Sequence, residues 1–161
     1  MRKILKTVFI LFLTLTTQVC PFLGNLNLHA QSKDSIILAG GCFWCVEADF
    51  EKVNGVSEVI SGYTGGFVEN PTYKQVVKGG TGHYEAVIIH FDPEIITTKN
   101  ILYKFFRSID PTDAGGQFCD RGHSYKSAIF AKPNQILIAK NALLEAEAIL
   151  GEKIVTPILE V

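Results

Sequence analysis

The chain has 161 residues, of which 47% are hydrophobic and 19% are charged, and its formal net charge is −1. These proportions suit one globular domain with a hydrophobic core and exclude an intrinsically disordered chain. The sequence carries no basic stripe of the kind that binds nucleic acid, so we expect no nucleic-acid partner.

The first thirty residues differ from the rest of the chain. Three basic residues within the first six positions precede the apolar run 8–15, and no acidic residue occurs before Asp34. The pattern predicts a secretory signal cleaved after Ala30 or, alternatively, an uncleaved N-terminal anchor; the run is too short for a comfortable membrane span. Removal of residues 1–30 leaves 12 of the 15 basic residues against 16 acidic ones. We therefore expect residues 31–161 to form an exported, periplasmic, monomeric and mildly acidic domain.

Apolar periodicity and turn residues predict strands and helices along residues 31–161. Strands are predicted over 35–39, 56–63, 83–91, 125–131 and 153–161, the last interrupted by Pro157. Helices are predicted from Cys42 to about Val53, over 71–77 with Pro71 in the first turn, from Thr97 or Thr98 to Ser108, and over 133–150 with strong amphipathicity. A glycine-rich loop is predicted over 62–70 and a long functional loop over 110–123. The uneven alternation favours an α+β, two-layer domain with a mixed sheet.

Cys42 follows Gly40-Gly41 at the predicted junction of the first strand and the first helix. A helix N-terminus carries unpaired N–H groups and a partial positive charge, which stabilise a thiolate placed there. Cys42 is therefore the candidate nucleophile, with simple core packing as the alternative, because free cysteine is often buried. Three cysteines follow the leader: Cys42, Cys45 and Cys119. An odd number in an exported chain favours a reactive thiol over a purely structural disulfide set.

Glu85 is the candidate acid. Strand alternation places it on the same face as His83. Its apolar strand neighbours would partly desolvate the carboxyl group, raising its pKa so that it holds a proton near neutral pH. The alternative is an ordinary solvent-facing glutamate.

Six blocks in fixed order resemble the A-type peptide-methionine sulfoxide reductases. The first is Gly41-Cys42-Phe43-Trp44 followed by Glu47, and the others are 62–66, 70–73, 82–87, 110–112 and 125–129. The resemblance runs from about Ile36 to Val161. It implies a ferredoxin-like α+β core, reduction of methionine (S)-S-oxide, free or in proteins, to methionine, no cofactor, and a thioredoxin-like protein as reductant.

The resemblance also implies the role of each site residue. Cys42 would attack the sulfoxide sulfur and remain as a sulfenic acid, and Glu85 would supply the proton. The remaining roles are the two hydroxyl donors Tyr73 and Tyr125, the loop acid Asp120, and the wall for the substrate methyl group, Phe43 and Trp44.

The sequence departs from the commoner family pattern at several positions. Cys45 replaces a glycine, Cys119 replaces an asparagine, and Lys126 stands where arginine is commoner. Because the cycle needs a second thiol, Cys45 or Cys119 is the candidate resolving cysteine, with a slight preference for Cys119. The family pattern continues beyond Val161, so a C-terminal truncation is expected.

Three other functions are compatible with these residues. The first is a zinc site built from Cys42, Cys45 and Cys119 with His83 or His123. The second is a Cys-x-x-Cys disulfide oxidoreductase, whose motif also opens a helix. The third is a non-catalytic module that binds oxidised proteins through its aromatic wall.

Overall fold

The computed structural model describes residues 33–161; the leader predicted over residues 1–30 lies outside them. The main sheet contains β1 (Asp34–Gly40), β2 (Val56–Thr64), β3 (Tyr84–Phe91), β6 (Ser127–Ala131) and β7 (Ile158–Glu160). A separate hairpin pairs β4 (Gly116–Gln117) with β5 (Asp120–Arg121). The helices are α1 (Phe43–Phe50), α2 (Tyr73–Lys78), α3 (Thr98–Ser108) and α4 (Ile136–Leu150), with a short 3-10 helix at His123–Tyr125.

The sheet order is β2-β3-β1-β6-β7. Its neighbours are antiparallel except for the parallel pair β6 and β7, so the sheet is mixed. Helix α1 connects β1 to β2, and β3 lies between these two strands. This arrangement is the ferredoxin-like α+β core that the sequence predicts, and that prediction is confirmed.

The core lies between one face of the sheet and the helices. Alternate residues of β1 and β3, among them Leu38 and Ile89, are fully buried together with Phe50 of α1 and Phe105 of α3. Each such side chain contributes about 1.5–3 kcal/mol through burial. The opposite face holds a smaller cluster: Ala39, Ala86, Ala128 and Phe130. Both packing faces follow from the period-two alternation of the strands.

The predicted helix starts are correct for α3 and displaced for α2. Thr97 caps α3, its side chain accepting the Asn100 N–H at 3.2 Å. For α2, Pro71 lies outside the helix and Thr72 is the N-cap, forming a capping box with Gln75. The reciprocal bonds of the box satisfy the backbone N–H groups of Thr72 and Gln75 at the start of the helix.

Helices α1 and α4 are shorter than predicted. Helix α1 ends at Phe50, and α4 begins at Ile136 because the Gln135 N–H closes a turn on the Lys132 carbonyl at 2.8 Å. The prediction of strong amphipathicity for α4 is wrong. Its fully buried residues are Ala139 and Ala142, whereas large apolar side chains such as Leu144 are exposed.

The predicted starts of three strands, β3, β6 and β7, are wrong. His83 precedes β3, and Tyr125 closes the 3-10 helix instead of opening β6. β7 begins only after Pro157, which has no N–H for a ladder bond. The long loop 110–123 contains the β4-β5 hairpin. Within residues 33–161 no helix is long and apolar enough to cross a membrane.

Candidate active site

Cys42 lies at the N-cap of α1. Its carbonyl accepts the N–H groups of Cys45 at 3.0 Å and Val46 at 3.3 Å, which starts the helix. The turn before it requires glycine at two positions. A Cβ on Gly40 would come within 2.9 Å of Ile109, and Gly41 has φ +88°. The half-buried Cys42 thiol therefore lies at the positive end of the helix, as predicted from the sequence.

Glu85 is buried beneath the start of α1, with 1% of its surface exposed. Its Oε2 accepts the Phe43 N–H at 3.2 Å, and its Oε1 is buried without a hydrogen-bond partner. Burial raises the pKa of Glu85, the Phe43 N–H opposes that shift, and the negative charge of Asp120 adds to it. The carboxyl group is thus biased toward its protonated form, beside the residue that follows Cys42.

Two tyrosines from different elements meet near this carboxyl group. Tyr73 is the first residue of α2 and Tyr125 the last of the 3-10 helix, and Tyr73 lies near enough to influence the hydroxyl of Tyr125. Burial, the charge of Glu85 and the contact with Tyr73 raise the pKa of Tyr125 to about 12. Its hydroxyl therefore stays protonated at neutral pH and can donate a hydrogen bond to an oxygen placed before it.

An aromatic cluster lies beside the cysteine. The Phe43 ring is 5.4 Å from the Trp44 ring and 6.5 Å from the Tyr73 ring, and Trp44 stacks on Tyr73 at 6.4 Å. Phe43 is buried, whereas Trp44 is 64% exposed. The cluster presents apolar aromatic surface to a small group bound near Cys42, as the sequence predicts for Phe43 and Trp44.

Tyr63 is a further member of the site for which the sequence analysis proposes no role. It pairs with Glu85 across β2 and β3, and its ring lies 5.7 Å from that of Phe43. Burial and the neighbouring Glu85 raise the pKa of Tyr63. The only sequence signal is its position within the block 62–66, because the β2 to β3 register is not visible in the sequence.

The β4-β5 hairpin carries Asp120, whose charge acts on Glu85, Tyr125 and Cys45. Opposite Asp120 in the hairpin is Gln117, which is buried and which the sequence analysis also leaves without a role. Its side chain accepts the Asp110 N–H at 2.7 Å and donates to the Asp110 carbonyl at 2.8 Å. Gln117 therefore anchors the hairpin at the start of the loop.

Three cysteines of the described part of the chain are free. Cys45 and Cys119 are exposed, and Cys42 is half-buried. Desolvation of the sulfur and the charges of Cys42 and Asp120 raise the pKa of the Cys45 thiol, although the residue as a whole is exposed. The structure thus places Cys45 one helical turn after Cys42, whereas Cys119 lies in the hairpin.

The zinc hypothesis lacks its ligand cluster. Among residues 33–161 no three His, Cys, Asp or Glu side chains are grouped so that they could hold a metal ion. The His83 ring is bound to backbone through both nitrogens, with Nδ1 accepting the Gly66 N–H at 3.3 Å and Nε2 lying 2.8 Å from the Val68 carbonyl oxygen. His123 Nε2 lies 2.9 Å from the Gly82 carbonyl oxygen. The histidines are used to hold loops.

The fold and this site define a class of protein with a cysteine at a helix N-cap and a buried carboxyl group beside it. Residues 34–161 match the family profile of peptide methionine sulfoxide reductases, and the chain belongs to that family. It is 47% identical over 138 residues to the reductase MsrA/MsrB of Vibrio cholerae, covering 85% of this chain and 36% of that protein. It is 50% identical over 119 residues to MsrA 2 of Caulobacter vibrioides, covering 74% and 61%.

Solved structures agree with the family assignment. Methionine sulfoxide reductase A of Corynebacterium diphtheriae superposes with a TM-score of 0.71 at 31% identity, covering 87% of this chain and 69% of that one. Reduced Mxr1 of Saccharomyces cerevisiae gives 0.74 at 29% identity, covering 80% and 75%. By sequence, the chain spans less than two thirds of the length of the Vibrio cholerae and Caulobacter vibrioides reductases.

Proposed function

We propose that this chain reduces methionine (S)-S-oxide, free or in proteins, to methionine, using Cys42 as nucleophile. The observation that carries the proposal is the buried carboxyl group of Glu85. A carboxyl group with its Oε1 buried and unpartnered, next to a cysteine at a helix N-cap, is a proton donor without an acceptor in the protein. The oxygen of a bound sulfoxide supplies that acceptor.

The first half of the reaction moves the sulfoxide oxygen to the cysteine. The Cys42 thiolate attacks the sulfoxide sulfur and Glu85 gives its proton to the oxygen, while the hydroxyls of Tyr73 and Tyr125 hold that oxygen by hydrogen bonds. The S–O bond of the substrate breaks as the oxygen is transferred to Cys42 Sγ. Methionine leaves reduced by two electrons, and Cys42 remains oxidised as a sulfenic acid.

The remaining site residues position the substrate in this proposal. Phe43 and Trp44 contact the S-methyl group, and Tyr63 closes the wall behind Phe43. Burial of Glu85 and, to a smaller extent, the negative charge of Asp120 raise the pKa of the carboxyl group and so favour its protonated form between turnovers. The arrangement binds a small apolar group next to a polar oxygen, which is the chemistry of a methyl sulfoxide.

The second half of the reaction returns Cys42 to the thiol. A second cysteine, Cys45 or Cys119, condenses with the sulfenic acid to give a disulfide and water, and a thioredoxin-like dithiol protein reduces that disulfide. A solved structure of Mxr1 is of its complex with Trx2, which supports a protein reductant of this kind. We also propose that the domain acts as a monomer after export to the periplasm, or is held at the membrane if the leader is retained; the charge pattern of residues 1–30 supports export.

The experiment that tests this function is a single turnover of the reduced 161-residue chain without reductant. Each epimer of a methionine sulfoxide peptide is added, and methionine formation is measured. We expect about one methionine per chain from the S epimer and none from the R epimer, and no product from Cys42→Ser. Insulin reduction without any methionine formation would instead favour the disulfide oxidoreductase, for which the position of Cys42 and Cys45 one turn apart at the start of α1 is the supporting observation.

A further inference from the structure

We propose that Cys45 is the resolving cysteine, and that the protein reductant attacks Cys45 Sγ and expels Cys42 as the thiolate. The inference rests on the proposed function and adds the route by which electrons reach the site. It also replaces the slight preference for Cys119 that the sequence alone suggests. Three features of α1 and its surroundings carry it: proximity, charge and exposure.

Proximity favours Cys45 over Cys119. Cys42 and Cys45 lie one helical turn apart, and the Cys45 N–H donates to the Cys42 carbonyl at 3.0 Å. Both cysteines belong to the turn that starts α1, so a local adjustment of that turn can bring their Cβ atoms to the separation of about 3.5–4.5 Å that a disulfide needs. Cys119 lies in the β4-β5 hairpin, so its bond to Cys42 would have to form between two separate elements.

Charge also acts on the Cys45 thiol. Desolvation of the sulfur and, after it, the charges of Cys42, Asp120 and Asp49 raise the pKa of Cys45. Oxidation of Cys42 to the sulfenic acid neutralises that sulfur and removes one of these causes. The Cys45 thiolate then attacks Cys42 Sγ, the S–O bond breaks, and the hydroxyl leaves as water with the proton released by Cys45.

The same features determine which sulfur the reductant attacks. Cys45 is exposed, while Cys42 is half-buried. Attack on Cys45 Sγ expels Cys42 at the N-terminus of α1, where the helix stabilises the negative charge of the leaving sulfur. Attack on Cys42 would expel Cys45, where desolvation of the sulfur and the nearby carboxylates disfavour a thiolate although the residue as a whole is exposed. The donor's second thiolate then attacks the mixed disulfide and releases Cys45, so one donor disulfide forms for each methionine produced.

Disulfide mapping tests the resolving step. The reduced full chain is oxidised with one equivalent of the S-epimer peptide, alkylated without reduction, and digested with trypsin. Cys42 and Cys45 fall in one tryptic peptide, 34–52, and Cys119 falls in another, 108–121. We expect peptide 34–52 to be two hydrogens lighter, with no alkyl group, and Cys119 to be alkylated. A cross-link between the two peptides, or to any other cysteine, overturns the proposal.

Trapping tests the direction of attack. The oxidised full chain is mixed with a thioredoxin-class protein whose second active-site cysteine is changed to serine, so that the mixed disulfide persists, and free thiols are then alkylated. We expect the donor on Cys45 and the alkyl group on Cys42, located by fragmentation of peptide 34–52. A donor on Cys42 or on Cys119 contradicts the proposed route.

A matched pair of variants of this chain completes the test, with the unmodified thioredoxin-class protein as reductant. Cys45→Ser should lower steady-state turnover at least about 100-fold and leave a sulfenic acid on Cys42 that a dimedone probe captures. Cys119→Ser should stay within about twofold of wild type. The reverse ranking overturns the assignment. Failure of the proposed function itself is recognised separately, because the wild-type chain would then release no methionine in the single turnover.

Discussion

The two oxygens of the Glu85 side chain differ in surroundings, and that difference makes a residue-scale prediction possible. Oε2 is held by the Phe43 N–H, while Oε1 is free to meet a substrate. Glu85→Gln keeps an acceptor for the Phe43 N–H and removes the transferable proton. We expect the single-turnover rate of methionine formation to fall about 10²–10⁴-fold at neutral pH. A loss below tenfold would remove Glu85 from the role of acid.

The pH dependence of the same residue separates catalysis from stability. A proton donor works below its pKa, so the wild-type rate should fall as pH rises through the pKa of Glu85, which lies above the ordinary value of 4.5, while the variant shows no such fall. Because the folded-state pKa is raised, ionisation of Glu85 destabilises the fold as pH increases. Glu85→Gln should therefore have a Tm at neutral pH that is no lower than wild type. A lower Tm would show that the carboxyl group serves the fold.

At the scale of elements, the β4-β5 hairpin positions Asp120 through one glycine. Gly116 has φ +145°, and a Cβ there would lie 2.2 Å from the Asp120 carbonyl oxygen, which is backbone and cannot rotate away. Gly116→Ala should therefore push the two strands of the hairpin apart and displace Asp120. We expect a loss of about 1–3 kcal/mol in the free energy of unfolding and a lower rate of methionine formation.

Gly62→Ala is the matched control for this substitution. A Cβ at Gly62 has no atom within 4 Å, so the free energy of unfolding by urea should change by less than about 0.5 kcal/mol. Equal stability of the two variants would mean that the hairpin opens without cost and does not fix Asp120.

At the scale of the whole molecule, the sequence reveals those parts of the fold that depend on local periodicity. The alternation of β3 and the stripe of α3 are visible because each buries one side of a regular element. Helix α4 is misjudged because its buried side consists of small alanines while larger apolar residues face solvent. In the site, the glycine turn reveals Cys42. The contacts of Tyr63 and Gln117 depend on strand register and on a two-residue hairpin, which leave no periodic signal.

An ion pair and a hydrogen bond between distant segments contribute to the overall stability of the domain. Asp34 of β1 binds Lys132 Nζ at 2.8 Å and Gln135 Nε2 at 3.1 Å, which ties the first strand to the start of α4. Burial alone would raise the pKa of Asp34, but the bonds from Lys132, the Ser35 backbone and Gln135 outweigh it, so the pKa is lowered. A carboxylate with a lowered pKa stabilises the fold above its unfolded value, near 3.8, and loses that contribution as pH falls through the folded value.

Asp34→Asn should consequently reduce the free energy of unfolding by up to about 1 kcal/mol at neutral pH, a small effect because the Lys132 side chain is 43% exposed. The difference from wild type, measured by urea unfolding, should shrink as the pH is lowered toward about 3. Glu145→Gln is the control, because its partner Lys99 and Glu145 itself are both half exposed and their pair should contribute almost nothing. If the difference in the free energy of unfolding between Asp34→Asn and wild type persisted unchanged in acid, the contacts of Asp34 would act through packing and neutral hydrogen bonds instead of charge.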